Sequence, residues 1–247
     1  MTSTGDQTNA AVRPKDAASL IIIDQIDAQP RILMGRRRPD QIFLPNKFVF
    51  PGGRTDKSDR FIKPAGALAP SDLEKLLKDM KGRASIERAH TLALTAIRET
   101  YEETGLLFAK QVQTGTGSRQ SSANAVWQKI FEHNFTPSLK GLTFLARAIT
   151  PPGRPRRYDT RFFCVEARNI VHRDPPLDAE LLDQDWFTLE EIRMLDLPHI
   201  TRAIVEDLDD WLQNGGNSPL LNHPVPYYYY ANGAYERDLI RTDTDRA

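Results

Sequence analysis

Arg98–Leu106 reads RETYEETGL, which places Glu99, Glu102 and Glu103 within one short run, directly after an arginine and just ahead of Gly105. On a helix, positions i, i+3 and i+4 share a face, so the three carboxylates project together. Leu94, Ile97 and Tyr101 fall on roughly the opposite face and are expected to pack on a core. Like charges so spaced cost a helix about 0.2–0.5 kcal/mol per pair. Three glutamates alone are adequately described as a solvated helix face. Taken with the glycine pair Gly52-Gly53 upstream, they suit a hard divalent cation, because Mg²⁺ and Mn²⁺ prefer carboxylate oxygen and bridge to substrate phosphates. Gly105 suits the position after a helix C-terminus, where φ is usually positive.

The whole string from Arg98 to Leu106 resembles the second half of the Nudix box, Arg-Glu-U-x-Glu-Glu-x-Gly-U, where U is a bulky apolar residue. Thr100 departs from U; Leu106 fits it. The resemblance covers roughly Ser19 to Leu212 and implies an α/β fold: an α/β/α sandwich with a mixed central sheet, here carrying a helical insertion. It implies hydrolysis of a nucleoside diphosphate linked to another group, with Mg²⁺ or Mn²⁺ as cofactor. Carried over by position, it implies Glu102 and Glu103 as metal ligands and Glu99 as a third ligand or the holder of a water. Arg98 would orient a glutamate through a salt bridge, and Gly53 would be the turn glycine whose carbonyl joins the metal shell.

The full family pattern, Gly-x5-Glu-x7-Arg-Glu, has only a short loop between glycine and helix, whereas here residues 54–88 intervene. Counting back eight from Arg98 puts His90 where the pattern has its first glutamate, and a structural role is expected for it. In many relatives a further glutamate precedes a Trp-containing strand and serves as base. Glu180, ahead of Trp186, suits that place, with Asp183 and Asp185 as rivals.

Thr150–Phe163 reads TPPGRPRRYDTRFF. Arg154, Arg156, Arg157 and Arg161 gather guanidinium forks around prolines, and arginine suits bidentate phosphate binding. Arg36, within Arg36-Arg37-Arg38, could add to them. A solvated basic hairpin is the plain alternative. Together with FVFPGGRTD and RETYEETG, the string resembles the coenzyme A diphosphatase branch, some members of which carry a long insertion in the box. That implies cleavage of CoA or acyl-CoA to phosphopantetheine and adenosine 3′,5′-bisphosphate, whose 3′-phosphate gives a reason for extra arginines. An ADP-ribose or NADH pyrophosphatase and a non-catalytic nucleotide-sensing module are the competing readings.

The bulk properties agree with a small-molecule enzyme. Lys+Arg and Asp+Glu both total 33 in 247 residues, so no net charge steers the chain to nucleic acid or an anionic membrane. One cysteine, Cys164, excludes an intrachain disulfide; in the run FFCV it is expected in a buried strand. No apolar run spans a bilayer and the N-terminus lacks a signal pattern, so a cytoplasmic location is expected. Residues 1–16 read as a flexible arm and 17–247 as a single domain, with 54–88 inserted and 214–247 as a tail. Ser71 and Glu74 suggest a capping box opening a small helix through Met80. Ala18–Asp24 and Arg31–Arg36 read as strands, as do Leu142–Ile149, Thr160–Ala167 and Asp185–Phe187; 111–122 reads as a loop. Helices are expected from Ser85–Ala89 onward and over Ala123–Asn134, Leu189–Leu195 and Thr201–Leu212. The tyrosine-rich tail PVPYYYY is a candidate cover for an apolar surface or a homodimer contact.

Overall fold

The computed structural model describes residues 12–25, 29–78, 80–112, 120–214, 223–243 and 245. In chain order its elements are β1 (Lys15–Asp24), β2 (Arg31–Arg37), β3 (Phe48–Val49), β4 (Gly52–Arg54), α1 (Pro70–Lys78) and α2 (Ile86–Thr104). Then come β5 (Leu106–Leu107), β6 (Ala109–Gln111), α3 (Ala125–Glu132), β7 (Phe135–Pro137), β8 (Thr143–Ile149) and β9 (Tyr158–Glu166). The last are β10 (His172–Arg173), β11 (Leu181–Thr188), α4 (Leu189–Met194), α5 (His199–Asn214), β12 (Val225–Ala231) and β13 (Ala234–Ile240).

The main sheet runs β11-β2-β1-β9-β8-β12-β13, with β3 beside β2 and β4 beside β1. It is mixed: β1 is parallel to β9 and antiparallel to β2, while β12 is parallel to β8. The uninterrupted apolar run in β1 is explained by burial on both faces. Leu20 and Ile22 enter the core under α1, α2 and α3, whereas Ile21 and Ile23 enter the one under α4 and α5. Each such side chain contributes about 1.5–3 kcal/mol by leaving water. Phe163 and Cys164 alternate likewise along β9, and burial pushes the Cys164 thiol pKa up. Helices thus cover both sides of a mixed sheet.

The helix carrying the acidic string is set by local chemistry at each end. The Ser85 side chain accepts from the Arg88 amide at the start. Small residues Ala89, Ala93 and Ala96 let the helix lie close to β1. Gly105 closes it at φ 72°, and a Cβ there would lie 1.7 Å from the Asp174 carbonyl oxygen, so no other residue fits.

Several boundaries differ from expectation. β1 begins at Lys15, inside the stretch expected as an arm; residues 1–11 lie outside the described residues. Helix α1 opens on Pro70 rather than on a Ser71 cap, because proline suits the first helical position. The capping box instead opens α4, where Thr188 and Glu191 bond reciprocally. Most of the expected loop over 111–122 lies outside the described residues, although Gln111 ends a strand. The connection between β8 and β9 joins antiparallel neighbours, as expected. The tail forms a hairpin in the sheet: β12 pairs with β13 and lies beside β8, an arrangement that the reading of it as a tail did not include. Among the described residues no helix is long and apolar enough to cross a membrane.

Neighbouring tail residues face opposite environments, Ile240 at 3% exposure and Leu239 at 37%. Ile240→Ala is expected to lower stability by about 2–4 kcal/mol in denaturant unfolding, and Leu239→Ala by less than about 0.5 kcal/mol.

Candidate active site

The face of α2 that carries the glutamates turns toward β4. Gly52 donates its amide to Glu103 Oε2 at 2.8 Å. A Cβ on Gly53 would lie 2.6 Å from the Glu99 carboxylate, so glycine here admits both the backbone and the acid. Glu103 is buried, and its Oε1 makes no hydrogen bond. Gln184 of β11 donates to the Glu103 carbonyl at 2.7 Å, tying the next sheet edge to the same turn.

Arg98 joins these groups. Its Nη1 lies 3.0 Å from Glu99 Oε1 and 3.2 Å from Glu102 Oε2, and its Nη2 donates to the Arg54 carbonyl at 3.0 Å. The opposite edge of the guanidinium is taken by Asp59, fully buried, through Nε at 2.8 Å and Nη2 at 3.1 Å. Asp59 also accepts from Thr95 Oγ1, Trp127 Nε1 and the Asp56 amide.

Asp59 was missed by the sequence reading, and the signal for it was present. Counting back from Arg98 leads to His90; counting forward from Gly53 through five residues leads to Asp59. Glycine-to-acid spacing is therefore intact, and the extra residues fall after Asp59. His90 is half-buried near the start of α2, where desolvation lowers its pKa, and it takes no part in this network. The expectation that His90 stands in the acid's place is corrected accordingly.

Glu180 comes to the same place. Its Oε1 lies 2.6 Å from Arg37 Nη2, and its charge helps raise the pKa values of Glu99, Glu102 and Glu103. Asp183 is held by Arg36 at 2.6 Å and occupies a β-bulge at φ 49°, while Asp185 bonds the Trp186 amide. The arginines divide. Arg161 is 1% exposed, with Nη1 2.9 Å from Asp159 and 3.4 Å from Asp16 and with Nη2 buried without a hydrogen bond, so the expectation that it meets a phosphate is corrected on burial: it sits inside the sheet. Arg157 donates to the carbonyls of Thr150 and Val12. Arg154 and Arg156 are exposed on the hairpin between β8 and β9. An edge contact at 5.1 Å between Phe43 and Tyr158 brings that hairpin against the loop whose Phe43 carbonyl accepts from Arg37.

No family model matches the chain. A Caenorhabditis elegans protein named as nudix hydrolase 7 is 26% identical over 189 residues, 72% of this chain and 52% of its own length. The crystal structure of a Nudix hydrolase from Alicyclobacillus acidocaldarius superposes with a TM-score of 0.57 at 25% identity, over 78% of this chain and 90% of that one. The chain is Nudix-like in sequence and in fold. It spans about half the length of the curated Nudix relative it matches.

The donor set fits the divalent ion that Nudix chemistry requires: hard carboxylates on one helical turn, one oxygen of Glu103 buried without a partner, and glycine backbone beside them. Burial, the largest influence, pushes the Glu99 pKa up to about 7 despite Arg98, raises Glu102, and holds Glu103 well above the carboxylate range. A folded-state pKa above the ordinary 4.5 means that folding retains a proton the unfolded chain has released. The resulting penalty grows as pH rises from 4.5 to about 7 and is complete above that. Without divalent ions, Glu99→Gln is expected to be more stable than wild type at pH 8, by on the order of 3 kcal/mol, with no advantage at pH 4. Thermal unfolding in chelator at both values checks this. Asp59→Asn is expected to cost about 3 kcal/mol or more by weakening the partner of a buried cation, and to lower turnover with it, whereas His90→Ala stays near wild type in both assays.

Proposed function

We propose that this Nudix-like chain hydrolyses the pyrophosphate of a nucleoside diphosphate-linked substrate with Mg²⁺ or Mn²⁺. The observation that carries the reading is the turn of Glu99, Glu102 and Glu103 buried against Gly52-Gly53, with a Glu103 oxygen left unpartnered. Glu99, Glu102 and Glu103 would hold the ion, and the Gly53 carbonyl would complete the shell. When bound, it supplies charge neutralisation at the phosphate oxygens and lowers the pKa of water. Arg98, fixed by Asp59, keeps the carboxylates of Glu99 and Glu102 oriented before substrate arrives. Glu180, anchored by Arg37, takes the proton of the attacking water. The glycines at 52 and 53 let β1 and the Glu99 carboxylate pack against the turn closer than a Cβ would allow, which seats the acid beside the Gly53 backbone.

Within this class we assign the pyrophosphate of CoA or acyl-CoA as the substrate bond, on the resemblance of the box and of the arginine hairpin to that branch. Arg154 and Arg156, both exposed, are the forks available for a 3′-phosphate, and Arg36 beside Asp183 is a weaker third. A cytoplasmic location belongs to the same reading. With Arg161 buried and Arg157 bonded to the Thr150 and Val12 carbonyls, a substrate lacking the 3′-phosphate, of the ADP-ribose or NADH type, is the second reading.

A hydrolysis panel read by mass spectrometry tests both. CoA is expected to be cleaved to phosphopantetheine and adenosine 3′,5′-bisphosphate faster than dephospho-CoA is cleaved. The double variant Arg154→Ala/Arg156→Ala should raise KM for CoA and leave that for dephospho-CoA unchanged. Equal rates on the two would transfer the assignment to the dinucleotide class. Glu102→Gln and Glu103→Gln are each expected to reduce turnover to background in a folded protein. Tight nucleotide binding with no turnover of any panel member would instead mark a sensing module.

A further inference from the structure

On the far side of α2, away from the glutamates, His133, His172 and Asp174 present one ligand atom each, all lying within 4.8 Å of one another. They come from three places: the residue capping α3, strand β10, and the segment after it. His133 Nε2 and His172 Nε2 lie 3.5 and 3.3 Å from Asp174 Oδ2. Donor atoms bound at about 2.0–2.1 Å around a tetrahedral centre are ~3.3 Å apart, so these separations are those of ligands sharing an ion. The His172 Nε2 atom is also buried without a hydrogen bond, though aimed at the carboxylate.

We propose that His133, His172 and Asp174 form a transition-metal site for Zn²⁺ or a similar borderline ion, separate from the glutamate turn. Two imidazoles and one carboxylate select such a metal over Mg²⁺, which prefers oxygen alone. Three protein ligands leave a fourth position for water. The Tyr101 hydroxyl donates to the same Asp174 Oδ2 and fixes the orientation of the carboxylate, as outer partners of metal ligands do. Lys129 Nζ, 3.5 Å from the same oxygen, is the competing cation that an incoming ion displaces. Its side chain is partly exposed and can swing into solvent.

The ion would cross-link the end of α3 to the segment leading toward Glu180. That segment is already laced to the end of α2: the Asp174 amide donates to the Gly105 carbonyl at 3.0 Å, and those of Leu177 and Asp178 to the Glu102 carbonyl at 2.8 and 3.3 Å. The bound metal therefore adds a staple to a stretch already held by these backbone bonds and by the Tyr101 hydroxyl.

The test uses the full chain, stripped with chelator and titrated with Zn²⁺ and with Co²⁺ while excess Mg²⁺ occupies the glutamate turn. One equivalent of Co²⁺ is expected to bind with the intense visible bands of a tetrahedral, nitrogen-ligated ion. His133→Asn and His172→Gln should each weaken binding at least about tenfold and leave Mg²⁺-dependent hydrolysis unchanged, which also reports that they fold. Lys129→Gln should bind Zn²⁺ more tightly than wild type. The proposal is overturned by Zn²⁺ binding only at millimolar concentration. Binding that both histidine variants retain, or that excess Mg²⁺ abolishes, would overturn it too.

Discussion

The buried pair of Arg98 and Asp59 is the constraint on which the site depends. A guanidinium at 5% side-chain exposure is tolerated only if its donors are met, and here they are met from four directions. Asp59 comes from the segment after the glycine turn, Glu99 and Glu102 from the helix itself, and the Arg54 carbonyl from the strand paired to β1. Trp127 on α3 closes the far side by donating to Asp59. A single side chain thus fixes strand, helix and the segment after the glycine turn relative to one another. The glycine turn and the acidic turn, distant in sequence, become one surface because of it.

That arrangement leaves a deliberate imbalance. Arg98 offers one positive charge beside three buried or half-buried glutamates and the nearby Glu180, with Arg37 as the other neutralising cation. Carboxylates so crowded answer in one of two ways, by taking up protons or by sharing a cation. The upward pKa shifts are the first answer. The second makes the same carboxylates strong oxygen donors at neutral pH. The stability forgone in the metal-free fold and the affinity available to a divalent ion are therefore two sides of one electrostatic strain.

Much of this was legible in the chain. The double-sided burial of β1 follows from an apolar run with no alternation, and the acidic face of α2 from i, i+3 and i+4 spacing. What escaped depended on tertiary partners. Asp59 looks like one more acid in the polar segment TDKSDR, and only Arg98 and Trp127 make it a core residue. Arg161 and Arg156 look alike in sequence, yet the first lies within β9, buried beside Asp159 and Asp16, whereas the second lies on the turn before it, in solvent. The tail hairpin was a missed local signal: Asn232-Gly233 follows the tyrosine run, and both residues take positive φ, at 51° and 83°.

The two faces of α2 suggest how rigidity is distributed around the acidic turn. One face is held by Arg98 and Asp59, the other by Tyr101, whose hydroxyl meets Asp174. Between them the last turn of the helix offers its carbonyls to the segment 174–178, whose continuation delivers Glu180 to the glutamates. Position of the candidate base therefore rests on the backbone bonds of its segment to Gly105 and Glu102 as well as on its own 2.6 Å ion pair with Arg37. Any side chain at residue 105 would break into the Asp174 carbonyl and move that whole path. The glycine that ends the helix is thus also what lets the segment leading to the candidate base lie against it.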